Sequence, residues 1–198
     1  MAKERRTLDK ELRHALDKKS CHEIMDYLMV EFSDRRDFHY NYYFDTPDND
    51  LDKRDSTLRL RTIVKGDDIS YHLSLKMPTV HKNTFLEYHE VLDEREFRAL
   101  AYENRLPKGE ISDLTSIHGG NIHLINMIKV NRVFGLYQNN KVFFDKISQK
   151  GETYYEIGMN IDANDAALID KKTKQFHGLL KKFDIEFEHA GRRSERYR

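Results

Sequence analysis

The chain has 198 residues, 38% of them hydrophobic and 34% charged, with 34 Lys and Arg balanced by 34 Asp and Glu. That is enough apolar material for one globular core and excludes a disordered chain. The absence of net charge argues against non-specific nucleic-acid binding, which needs a basic surface.

A single cysteine, Cys21, excludes an intramolecular disulfide, and its place in an apolar helical stripe marks it as a small buried hydrophobe. No apolar run has the length of a secretory signal or a membrane-spanning helix. The expectation is one soluble, cytoplasmic domain over residues 1–198, with no membrane partner.

In chain order, Thr7 to Leu16 alternates and predicts a strand. Asp17 is an N-cap candidate, and Cys21, Ile24, Met25, Leu28 and Phe32 recur at helical spacing behind it. Phe38 to Phe44 predicts a strand, and the segment DTPDNDLDKRD a polar loop. Strands follow at Thr57 to Val64, Ile69 to Lys76 and Thr84 to Leu92, the first two joined at Gly66-Asp67-Asp68. Asp93 to Tyr102 reads as a helix, with an irregular stretch to about Gly120. Met127 to Tyr137, Lys141 to Ile147 and Thr153 to Ile161 are strands, and Gln138-Asn139-Asn140 turns the first pair as a hairpin. A helix over Asp165 to Phe183, a short strand at Ile185 to His189 and the basic tail GRRSERYR complete the chain. Strands joined mainly as hairpins, with interspersed helices, make an α+β pattern.

Side chains alternate across a strand, which assigns charges to faces. Asp9, Glu11 and Arg13 share one face against Leu8 and Leu12; Arg59 and Arg61 stand against Leu58 and Leu60; His72, Ser74 and Lys76 stand against Tyr71, Leu73 and Leu75. Glu87 aligns with His89, Lys141 with Asp145, and Arg132 with Val130. Alternation is satisfied equally by an open sheet with a solvated charged face and by a sheet curled so that the charges point inward. His72 and His89 read as polar wall residues.

These residues, taken in order, resemble the CYTH superfamily of triphosphate tunnel enzymes. The resemblance rests on YFDTPDNDL (43–51) followed by LRLR (58–61), HLSLK ending at Lys76, EYHEV from Glu87, Arg132 in KVNR, Asp145 in VFFD, and the tail arginines Arg193 and Arg196. It spans nearly the whole chain and looks nearest to the branch of Gram-positive bacteria called adenylate-cyclase-like or triphosphatase-like. It implies an antiparallel tunnel of eight to nine strands with helices packed outside. It implies Arg59, Arg61, Lys76, Arg132, Arg193 and Arg196 as substrate-binding residues and Asp9, Glu11 and Arg13 as catalytic ones. Asp9, Glu11, Glu156 and Asp145 are the implied ligands of Mg²⁺ or Mn²⁺. Two departures stand out. The family's ExExK strand reads Asp9-Lys10-Glu11-Leu12-Arg13 here, and its late acidic strand reads Glu156-Ile157-Gly158-Met159-Asn160, keeping one of three carboxylates.

The resulting expectation is a divalent-metal-dependent phosphohydrolase that binds a triphosphate, inorganic or nucleoside, with adenylate cyclisation a lesser variant. The alternative is a CYTH protein with weak or absent catalysis that binds polyphosphate or nucleotide. The partner implied is a small molecule carrying a triphosphate, and no nucleic acid.

Overall fold

The computed structural model describes residues 5–32, 38–80, 85–117, 122–162 and 166–191, with the side chains of 5–10 and 162 excepted. Eight strands are present: β1 (Arg5–Leu16), β2 (Phe38–Asp45), β3 (Thr57–Lys65), β4 (Asp68–Pro78), β5 (Phe85–Leu92), β6 (His123–Tyr137), β7 (Asn140–Gln149) and β8 (Glu152–Asp162). All pairings are antiparallel, and the ring order is β1-β5-β4-β3-β2-β6-β7-β8. β1 closes the ring, because Arg5 to Asp9 pair with β5 while Asp9 to Leu16 pair with β8.

Five helices accompany them: α1 (Lys18–Tyr27), α2 (Asp50–Lys53), α3 (Glu94–Glu103), α4 (Glu110–Thr115) and α5 (Ala166–Lys181). Asp17 caps α1 by accepting the Ser20 N–H at 2.9 Å, as its position before the apolar stripe foretells. Asp93 and Glu96 form a reciprocal capping box on α3. In the expected polar loop, the buried Asp45 carboxylate accepts backbone N–H groups from Thr46, Leu51 and Asp52 and so fixes the short α2. Gln138 and Asn139 both adopt positive φ, the backbone of a tight hairpin turn between β6 and β7.

The helices decide which sheet face points in. Leu12, Val133, Val142, Phe144, Ile157 and Met159 form one core with Cys21, Ile24 and Met25 of α1 and Phe176, Leu179 and Leu180 of α5. Leu58, Leu60, Leu73, Leu75 and Tyr88 form a second with Leu100 of α3 and Ile111 of α4. The apolar faces that meet helices are therefore the outer ones, while a third apolar group, Tyr43, Ile128, Val130 and Ile147, shares the inner face with Arg132 and Asp145. The charged residues point into the interior, and the closed ring rules out the open-sheet alternative. Cys21 lies within the first core, where burial pushes its thiol up to about 12, as a structural cysteine should behave.

Residues 185–189 form no strand, contrary to the sequence reading. Beyond Asp9, β1 has no β5 partner, and the segment runs beside that stretch without forming a continuous ladder. The segment is tied to β1 by isolated bonds instead: Ala190 N–H to the Arg13 carbonyl at 2.8 Å and Glu188 N–H to His14 Nδ1 at 3.0 Å.

Candidate functional site

Charge enters the interior where residues alternate along a strand and helices cover its apolar side. On β3, Leu58 and Leu60 are fully buried outside, which turns Arg59 and Arg61 inward. In register, Arg59 lies opposite Ser74 and Arg61 opposite His72, while Lys76 lies opposite both Thr57 and Glu87. Arg59 Nη2 donates to Glu87 Oε1 at 3.0 Å, Lys76 Nζ stands 3.9 Å from Glu87 Oε2, and His89 Nε2 is 3.6 Å from Oε1. Burial works to raise the Glu87 carboxyl, but Arg59, Lys76, His89 and Arg61 together hold it below its ordinary value.

The facing wall is organised around two more arginines. Arg132 donates from Nε and Nη2 to the two oxygens of Asp145, at 2.7 and 2.6 Å, and its guanidinium lies 3.9 Å over the Phe143 ring. Arg13 Nε is 3.0 Å from Glu11, and its Nη1 is 3.7 Å from the fully buried Glu156. Glu11, Arg13 and Glu156 thus meet, with Arg13 between the carboxylates. Arg193 and Arg196 lie outside the described residues, and of Asp9 only the backbone position on β1 is described.

The late acidic strand has a steric reason for its glycine. A Cβ on Gly158 would stand 2.2 Å from Phe143 Cζ and 2.7 Å from the Leu12 carbonyl oxygen. The aromatic ring fills the space that a side chain at 158 would need.

Glu11 lies opposite Asn160, whereas Glu156 lies opposite Ala15. Four residues of β1 separate these levels, roughly 13 Å along a strand. Arg13 occupies the interval, and both oxygens of Asp145 already accept from Arg132. Among the described residues no three carboxylates, histidines or cysteines gather closely enough for a metal. Glu11, Glu156 and Asp145 do not fit one shared ion.

Sequence reasoning missed the inner face of β2, formed by His39, Asn41 and Tyr43 between β3 and β6. The same alternation rule would have found it in FHYNYYFD. Asn41 is fully buried, and its Oδ1 accepts from Arg61 Nε at 2.7 Å. His39 is driven down to about 3, by burial first and then by Arg61 and Arg132, so it stays neutral. His72 is also lowered, by burial and then by Arg61, His89 and Arg59.

The family model for the CYTH domain matches residues 12–190. The chain belongs to the CYTH domain family. The CYTH fold is shared with a crystal structure of a putative adenylate cyclase from Bacillus halodurans, with a TM-score of 0.81, 22% identity and coverage of 97% of this chain and 98% of that one. It is shared with a putative adenylyl cyclase from Hippeastrum, described as having a dominant triphosphatase activity, at a TM-score of 0.69, 20% identity and coverage of 97% and 92%. A Pyrococcus horikoshii protein follows at a TM-score of 0.62, 17% identity and coverage of 92% and 94%. At these identities the likeness is one of fold. No curated protein matches the chain by sequence. Among the described residues no helix is long and apolar enough to cross a membrane.

Proposed function

We propose that this CYTH protein binds the triphosphate group of a small molecule, inorganic triphosphate or a nucleoside triphosphate, on the basic side of its tunnel. The observation that carries the reading is the convergence of Arg59, Arg61 and Lys76 on one inner face of the adjacent strands β3 and β4. Several phosphate charges require several cations, and guanidinium forks add geometry to charge. Arg132 and Arg13 extend the set on the facing wall, and Arg193 and Arg196 of the tail belong to it in this reading. Calorimetric titration with tripolyphosphate, with inorganic phosphate as the control, tests it. Saturable binding that weakens in Arg59→Ala is expected; no binding, with or without Mg²⁺, would overturn it.

Hydrolysis of that triphosphate is a second reading, favoured by the triphosphatase activity described for the Hippeastrum protein. In it Asp9, Glu11 and Arg13 of β1 are the catalytic residues. Mg²⁺ or Mn²⁺ is the implied cofactor, although Glu11, Glu156 and Asp145 do not form a common ligand set. Phosphate release from tripolyphosphate and from ATP, measured with each metal, separates this reading from binding alone. Release no greater than that of Glu11→Ala would leave the protein a triphosphate-binding module. A cytoplasmic setting goes with either reading.

A further inference from the structure

The interior holds two arginines by different means. Arg132 is gripped by a carboxylate, through both oxygens of Asp145. Arg61 donates its Nε to the carbonyl oxygen of an amide, Asn41, directly opposite it on β2, at 2.7 Å. Asn41 has no exposed surface, yet its Nδ2 has no hydrogen-bond partner. An orphaned buried donor of this kind is costly, and native structures retain few of them. An aspartate at 41 would present the same oxygen to Arg61 with no orphaned N–H.

We propose that Asn41 is a positioning residue for triphosphate binding: it fixes the Arg61 guanidinium through Nε while adding no negative charge beside the phosphate site. The inference rests on the reading of the tunnel as a triphosphate site and names how one of its cations is prepared. A guanidinium held through Nε has its plane and direction set, so less rotamer freedom is lost when its outer nitrogens meet phosphate oxygens. A carboxylate would orient Arg61 equally well and would repel the ligand. The amide accepts a buried, half-satisfied state in exchange for adding no countercharge of its own to the local field. That field reaches the neighbours, since Arg61 contributes to lowering His39, His72 and Glu87.

The test is tripolyphosphate calorimetry on the full chain, with wild type, Asn41→Ala, Asn41→Asp, Arg61→Ala and Asn41→Ala/Arg61→Ala, each checked for folding by its melting temperature. Asn41→Ala should weaken binding about tenfold, the size expected for one hydrogen bond to a charged group. The double variant should bind no more weakly than Arg61→Ala, because Asn41 acts through Arg61. Asn41→Asp should weaken binding at least as much as Asn41→Ala, although it keeps the acceptor. Additive losses in the cycle, or wild-type affinity in Asn41→Asp, would overturn the proposal. If Asn41→Asp fails to fold, Asn41→Ser decides instead. Its uncharged acceptor should recover part of the affinity that Asn41→Ala loses, and no recovery counts against the proposal. A wild type that binds no tripolyphosphate at all overturns the reading of the tunnel itself, an outcome distinct from the others.

Discussion

Arg132 and Asp145 face each other across β6 and β7, joined by two hydrogen bonds of 2.7 and 2.6 Å, with the carboxylate fully buried and the guanidinium stacked on Phe143. The pair makes Arg132 as much a wall element as a ligand. Any further role for Asp145 has to share these two oxygens with Arg132.

Asp145→Ala should therefore be strongly destabilising, since it strands a buried charge. The expected loss is about 3–5 kcal/mol, or roughly 6–20 °C in melting temperature for a domain of this size. The double variant Arg132→Met/Asp145→Leu should lose less than Asp145→Ala alone. Thermal melts of the two variants check this; a double variant less stable than the single one would contradict it.

Gly158→Ala should cost about 1–3 kcal/mol, the range of overpacking in a well-filled interior. Its Cβ meets the Phe143 ring at 2.2 Å and the Leu12 carbonyl at 2.7 Å. In a Phe143→Leu background the cost of the same change should shrink but not vanish, because the backbone oxygen remains. Equal costs in both backgrounds, measured by urea unfolding, would show that the ring is not what excludes a side chain there.

Arg59→Ala removes the cation that acts most strongly against burial on Glu87. The Glu87 carboxyl should then titrate at higher pH, as followed by carbon-13 NMR of its side chain. A carboxyl held below its ordinary value contributes stability above that value and loses it as the pH falls through the folded one. Arg59→Ala should shrink this contribution. An unmoved titration would place the control of Glu87 elsewhere.

His39 supplies the same sign of pH dependence, in a window that reaches to higher pH. It titrates near 3 in the fold against 6.5 ordinarily, so between these values the unfolded chain binds a proton that the folded chain refuses. Stability therefore rises with pH through this window and falls on acidification below about 6.5. His39→Gln should flatten the dependence of melting temperature on pH between roughly 6.5 and 4.5. A slope as steep as that of wild type would show that His39 is not its source.

Much of the frame was legible in the sequence because strand alternation and helix capping are local. The faces of Arg59 and Arg61, of His72 and Lys76, and of Glu11 and Arg13 follow from neighbours one residue away, and the cap at Asp17 from the apolar stripe that follows it. The short α2 was not legible. Its anchor is the burial of Asp45, which depends on the closed ring around it. Residues 185–189 have a strand-like pattern, but they meet β1 through isolated bonds and not through a ladder.

The charged tunnel shows the same division. By itself the sequence determined that the strands carry one polar and one apolar face, since a period of two residues needs no long-range information. Only the tertiary structure decided that the polar face points inward, because that depends on which face α1, α3, α4 and α5 cover. It also decided how the charges pair. Arg13 between Glu11 and Glu156, Arg132 on Asp145 and Arg61 on Asn41 join strands that are distant in sequence or set in register by pairing. Gly158, which in the sequence is a missing carboxylate, is in the fold the space taken by Phe143.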